Sequence, residues 1–138
     1  MIHVIAGKKG SGKTKKLIES ANEAVSQSSG NVVVIEKGNK LTYDISHDAR
    51  LIDIDAYGIQ GADALGGFLC GICAGNYDVT DIFVDSTLKI IGQDMNSLAS
   101  FVEKMEALSS LADVKITLLI SAEKALLPES IKVVSSVE

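Results

Sequence analysis

Positive charge is in short supply in this sequence. Thirteen Lys and Arg stand against 18 Asp and Glu, a formal net charge of −5. A surface that grips duplex nucleic acid is normally basic, so non-specific DNA binding is disfavoured, with only a local patch left open. Long hydrophobic runs are missing too. The longest apolar-leaning stretch, residues 64–75 (ALGGFLCGICAG), is too short to span a bilayer and too rich in glycine for a strong helical anchor, so no membrane partner is expected. The opening run IHVIAG passes straight into a polar, glycine-containing segment, so no secretory signal is expected. Cysteine is scarce, with two in 138 residues; without a secretory signal this points to a reducing, cytoplasmic setting. No internal repeat or low-complexity linker interrupts the chain.

What is there suffices for one domain over residues 1–138. Apolar residues make up 46% of the chain, enough for a core and too many for global disorder. Residues 2–6 are a short apolar run stopped by Gly7 and read as a buried strand. Residues 14–27 read as a helix, with Leu17, Ile18, Ala21, Ala24 and Val25 on one face. A turn at 28–31 leads to the β-branched run 32–35, a second buried strand. Weak alternation over 41–45 suggests a short hairpin or edge piece, and 51–55 (LIDID) another short strand. A glycine-rich helix is expected over 58–75, with Gly67, Gly71 and Gly75 leaving one face bare for close packing on a neighbour. Next come a strand over 81–85 and a helix capped by Asp94, whose inner face is Leu98, Phe101, Val102, Met105 and Leu108. A buried strand over 115–120 follows, then a short helical segment ending near Pro128 and a last strand over 131–134. Strands alternating with helices predict an α/β fold: about five parallel strands with helices on both faces. In such sheets ligands sit at the carboxyl ends of the strands.

The strongest motif lies at the first of those ends. Residues 7–14, GKKGSGKT, satisfy G-x-x-x-x-G-K-[ST] without a mismatch, between a strand and a helix as the motif requires. Gly7, Lys8, Lys9, Gly10, Ser11, Gly12, Lys13 and Thr14 form the candidate nucleotide-binding loop. Its glycines let backbone N–H groups turn toward phosphate oxygens, and the helix start adds partial positive charge. Lys13 can reach the terminal phosphates and Thr14 can offer its hydroxyl to Mg²⁺. The bland alternative is a chance match in a glycine-containing loop. Lys15 and Lys16 read as a solvated helix face, while Lys8 and Lys9 add positive potential in the loop.

Two acids stand at later strand ends. Asp85 closes the run IFVD and can hold Mg²⁺ opposite Thr14, although aspartates also end strands for turn reasons alone. The residue after it is Ser86, a poor base, so hydrolysis would need its base elsewhere. Glu36, ending VVVIE, emerges on the phosphate side if its strand runs parallel to the first; a solvated strand-end glutamate is the alternative.

An intact GxxxxGKT loop, a strand ending in Glu and a later strand ending in Asp-Ser resemble the RecA-type ATPase core of the P-loop NTPases. That resemblance implies that Glu36 activates water, that Asp85 belongs to the Walker B element, and that Ser121 in LLISAE takes the place of the polar residue that senses the terminal phosphate. A resemblance over nearly the whole chain rests on GKKGSGKTKKLIE, IEKGNKLTYDI, GNYDVTDIFVDS and ISAEKALLPESIK. These segments are similar to a family of small bacterial ATP-binding proteins, mostly from Firmicutes, often labelled "twitching motility protein PilT". The second domain and the His and Asp boxes of the motors that bear that name are not found here. The resemblance implies ATP and Mg²⁺ as cofactors and an ATP-binding protein with slow ATPase or nucleotide-switch activity. A small nucleoside-kinase-like phosphotransferase is the alternative.

The chain has one arginine, Arg50. An arginine finger, worth orders of magnitude in rate, must therefore be Arg50, be replaced by a lysine, or be missing. This predicts slow turnover, or an unidentified protein partner or second copy that completes the site. No base-reading N-K-x-D motif is present, which leans toward ATP rather than GTP. Cys70 and Cys73 form a C-x-x-C that reads as half a zinc site, a redox pair, a metal bridge between two subunits or two small buried residues. His3 and His47 have no ligand-like neighbour in sequence. Tyr43, His47 and Asp48 either line a nucleoside or substrate pocket or form loop surface.

Overall fold

A computed structural model describes residues 1–137, with side chains to 133. Buried β-branched runs that cannot hydrogen-bond internally pair with one another, and here they do so in a single direction. The strands are β1 (Ile2–Ala6), β2 (Asn31–Glu36), β3 (Arg50–Asp53), β4 (Val79–Val84), β5 (Lys115–Ile120) and the short β6 (Ser135–Val137). Their order across the sheet is β3-β2-β4-β5-β1-β6, and every pair is parallel. The expected central strands are all present, and β6 makes the sheet six-stranded rather than about five.

Helices cover both faces because the strand side chains alternate. Val32 and Val34 point to one side with Ile5, Phe83 and Leu119, where α1 (Lys13–Gln27) buries Leu17 and Ala21. Ile18, Ala24 and Val25 pack at the margin of the same cluster, as the helical spacing predicts. Val33 and Ile35 point to the other side with Ile2, Val4, Ile82 and Leu118. That side is covered by α2 (Ala62–Gly75), α3 (Thr87–Ile91), α4 (Met95–Ala112) and α5 (Glu129–Val134). In α4 the Asp94 side chain accepts the Asn96 N–H at 2.9 Å and caps the helix as expected. Its predicted inner face is buried at Leu98, Phe101, Val102, Met105 and Leu108. No helix among the described residues is long and apolar enough to cross a membrane.

Four local expectations are corrected. Residues 41–45 form hydrogen-bonded turns rather than a hairpin or strand: the N–H of Ile45 donates to the Leu41 carbonyl at 3.1 Å. Leu41 and Ile45, spaced by four, thereby reach the same cluster, a spacing that over five residues mimics strand alternation. The strand expected over 51–55 stops at Asp53, whose side chain accepts the Asp55 N–H and starts a 3-10 turn at Ile54–Tyr57. Residues 131–134, expected as a strand, belong to α5, and the strand comes after them. The short helical segment expected before Pro128 is present as a 3-10 turn at Lys124–Leu126, and Pro128 then precedes α5, where its fixed φ suits a helix start and Glu129 adds first-turn acidity. The bare face of α2 has no close neighbour: a Cβ on Gly67, Gly71 or Gly75 would meet nothing within 4 Å among the described residues. The helix contacts α4 through Gly66 instead, where a Cβ would lie 3.6 Å from Met105.

Candidate functional site

β1 ends at Ala6, and the chain leaves the sheet through a hydrogen bond from the Gly7 N–H to the Ile120 carbonyl of β5 at 3.3 Å. The loop then turns at Gly10 and Gly12, both with φ of 85°, a left-handed conformation in which a side chain is strained. Gly12, at the N-cap of α1, offers no side chain to cap the first-turn N–H groups. Lys13 is only 8% exposed, although it is charged. Its Nζ donates to the Lys8 carbonyl at 2.9 Å. Burial holds its pKa below the ordinary lysine range, and the carboxylate of Asp85 acts the other way.

Asp85 stands one residue beyond β4, and its N–H donates across to the Ile35 carbonyl of β2 at 2.8 Å. That bond fixes the Asp85 backbone beside Glu36. Ser86 then adopts φ 55°, ψ 44°, a left-handed conformation uncommon for a residue with a side chain. Its hydroxyl donates to Asp85 Oδ2 at 3.2 Å. The tight turn launches α3, with Thr87 buried at its start.

Glu36 is the last residue of β2 and is only 2% exposed. The Leu41 N–H lies 3.3 Å from each carboxylate oxygen. Burial raises its pKa above the ordinary carboxylate range, the Leu41 and Lys40 amides oppose the rise, and the charges of Asp85 and Asp53 add to it. A buried carboxylate held partly toward its neutral form is a better proton acceptor than an exposed one.

These groups share one open cavity of about 480 Å³. Gly12, Lys13, Thr14, Glu36, Asp85 and Ser121 all line it. They come from the carboxyl ends of β1, β2, β4 and β5, consecutive in the sheet, so the parallel topology gathers residues far apart in sequence. Lys9 and Gly10 line it as well, whereas Gly7, Lys8 and Ser11 do not. Gly7 has a local role: a Cβ there would lie 2.5 Å from Ser11 Oγ. Lys8 turns outward to an exposed ion pair with Glu123 at 2.9 Å. Lys15 and Lys16 are exposed, as expected of a solvated face.

Sequence reasoning missed Lys37, Lys40, Lys89 and Gln93, which also line the cavity. The signal for two of them is position, since Lys37 and Lys40 directly follow Glu36. Lys89 and Gln93 follow from α3, a helix too short to show a period. Tyr43 is 96% exposed and lies outside the cavity, and Asp48 is exposed loop. His47 lines a different cavity, which also touches Glu36. Cys70 is exposed and Cys73 buried, with burial pushing the Cys73 thiol up. No group of three or more His, Cys, Asp or Glu among the described residues is arranged to hold a metal. A divalent cation between Thr14 and Asp85 would thus complete its oxygen shell with phosphate and water, the habit of Mg²⁺.

No protein-family model and no curated protein matches this sequence.

Proposed function

We propose that this chain is a P-loop NTPase with a RecA-like core that binds ATP with Mg²⁺ and hydrolyses it slowly. The observation that carries the reading is the convergence of the 7–14 loop, Asp85 and Glu36 on one cavity at the carboxyl edge of the sheet. A cavity of about 480 Å³ lies within the roughly 300–1,000 Å³ range of small-molecule sites.

Each residue has a role suited to its surroundings. The uncapped start of α1 and the turned loop receive phosphate oxygens, and Lys13 exchanges the Lys8 carbonyl for the terminal phosphates. Thr14 and Asp85 would hold Mg²⁺, which neutralises phosphate charge when bound. Glu36 takes the proton of the attacking water, and Ser121 offers a hydroxyl beside the terminal phosphate. Lys9, Lys37, Lys40 and Lys89 surround the opening and favour a polyanion. The sole arginine, Arg50, lines the neighbouring cavity that shares Glu36 rather than the cavity of the 7–14 loop, which supports slow turnover. A slow enzyme of this kind also works as a nucleotide-dependent switch, with α3 joined to Asp85 through Ser86 alone.

The test is phosphate release from Mg·ATP by the purified protein, beside Lys13→Ala and Glu36→Gln, with ATP affinity measured for all three. Binding lost in Lys13→Ala, with release lost but binding kept in Glu36→Gln, supports the reading. Wild-type protein that binds no ATP refutes it.

A further inference from the structure

The α1 face of the sheet changes character toward the amino ends of its strands. A parallel sheet covered on both faces normally presents apolar side chains throughout. Ile5, Phe83 and Leu119 follow that rule. Two residues earlier on the same strands, and so on the same face, stand His3, Asp81 and Thr117, with Lys115 at the start of β5. These four line a cavity of about 630 Å³ beneath the second half of α1. It lies at the opposite edge of the sheet from the 7–14 loop and shares no lining residue with the cavity there. Thr117 is only 1% exposed, so the cavity reaches down to the sheet itself.

The charge around this cavity is divided into two sides. On β4, Asp81 presents a half-buried carboxylate. Thr80 Oγ1 donates to its Oδ2 at 2.9 Å, and its Oδ1 accepts no hydrogen bond among the described residues. The Ser28 and Thr80 hydroxyls bond to each other, which brings the end of α1 over the same strand. A helix end of this kind carries partial negative charge, and no basic residue stands in the last turn of α1. Glu23, on that helix, adds a second carboxylate, whose Oε1 accepts the Gln27 amide at 3.3 Å. On β5 and β1 the groups are of the other kind: Lys115 brings an ammonium and His3 an imidazole. Asp81 and Lys115 are in register on neighbouring strands, yet no ion pair joins them among the described residues. Each is thus available to a molecule of opposite charge. Phe83 and Ala24 supply apolar wall for a side chain.

We propose that this cavity binds a small zwitterion, an α-amino acid or dipeptide, with its ammonium toward Asp81 and its carboxylate toward Lys115. A molecule of one sign is attracted by one side and repelled by the other, whereas a dipolar one satisfies both. Thr117, two residues from Lys115 on the same face, offers the carboxylate a hydroxyl donor. The volume lies within the roughly 300–1,000 Å³ range of small-molecule sites. The site stands apart from the ATP-binding reading and does not depend on it.

The experiment is isothermal titration calorimetry of the full chain with each common amino acid and with glycylglycine. The expected result is saturable binding of at least one of them. The N-acetyl and C-amide derivatives of that molecule each lack one charge and should bind about 10–100-fold more weakly. Asp81→Asn and Lys115→Met should each weaken the parent molecule by a similar factor, with thermal melting of both variants close to that of wild type. Should either variant melt early, the two derivatives on wild-type protein still decide the matter. No binding of any of these molecules up to millimolar concentration overturns the proposal. So does binding of both derivatives as tight as that of the parent.

Discussion

Replacing Glu36 with Gln isolates the proton-accepting role proposed for it, because the change is nearly isosteric. The Leu41 N–H sits 3.3 Å from both oxygens of Glu36, so a glutamine carbonyl can still accept it. What disappears is a buried negative charge that burial and the neighbouring Asp85 and Asp53 already disfavour. Folding should therefore be unharmed, and ATP affinity unchanged or raised, since one anion near the phosphates is gone. General-base catalysis contributes roughly 10²–10⁴-fold, or about 3–5 kcal/mol of barrier. Phosphate release by Glu36→Gln should fall by that factor, read by a continuous phosphate assay at saturating Mg·ATP. In wild type, release should climb with pH through a pKa above the ordinary glutamate range, because the base must be ionised. Full activity in the variant with intact ATP binding would refute the assignment of Glu36 as base.

Stability should depend on pH in the same residue. The folded pKa of Glu36 is raised, so between the unfolded and folded values the native state holds more protons. Wild type should lose stability as pH rises through that window, and Glu36→Gln should not; parallel denaturation midpoints across pH check this. Gly12→Ala places a side chain at φ 85° with nothing within 4 Å, so the cost is conformational, roughly 1–2 kcal/mol by urea unfolding, with ATP affinity reduced as well. Phe101→Ala removes a ring that is 1% exposed under α4 and should cost about 3–5 kcal/mol, a large drop in Tm with no specific effect on ATP affinity. Asp94→Ala removes only the α4 cap, and calorimetry should show a loss of about 1 kcal/mol.

Much of this architecture was legible because its signals are local. A β-branched run such as 32–35 has few ways to be buried, and the capped, periodic stretch after Asp94 has only one plausible partner surface. The turns of the 7–14 loop were legible because its glycines fall where the backbone needs them, Gly10 and Gly12 both taking φ of 85°. The errors fall where a short apolar run fits two periods. Leu41 and Ile45 match a strand by alternation and a helical turn by spacing, and only the sheet's position decides between them. Residues 131–134 are apolar and β-branched in part, yet they follow Pro128 and Glu129, which favour a helix start. Lys37, Lys40, Lys89 and Gln93 were not legible as site residues, since what unites them is the parallel register rather than any spacing.

The turn at Ser86 bears on where the proposed base can come from. A side chain directly after Asp85 is committed by its left-handed backbone, and the Ser86 hydroxyl donates back to Asp85. It stabilises the carboxylate and has no basicity to contribute. The hydrogen bond from the Asp85 N–H to Ile35 places the end of β2 alongside, and the role proposed for Glu36 is taken from there. Glu36 itself borders two cavities, that of the 7–14 loop and a smaller one between β3 and the 38–49 segment.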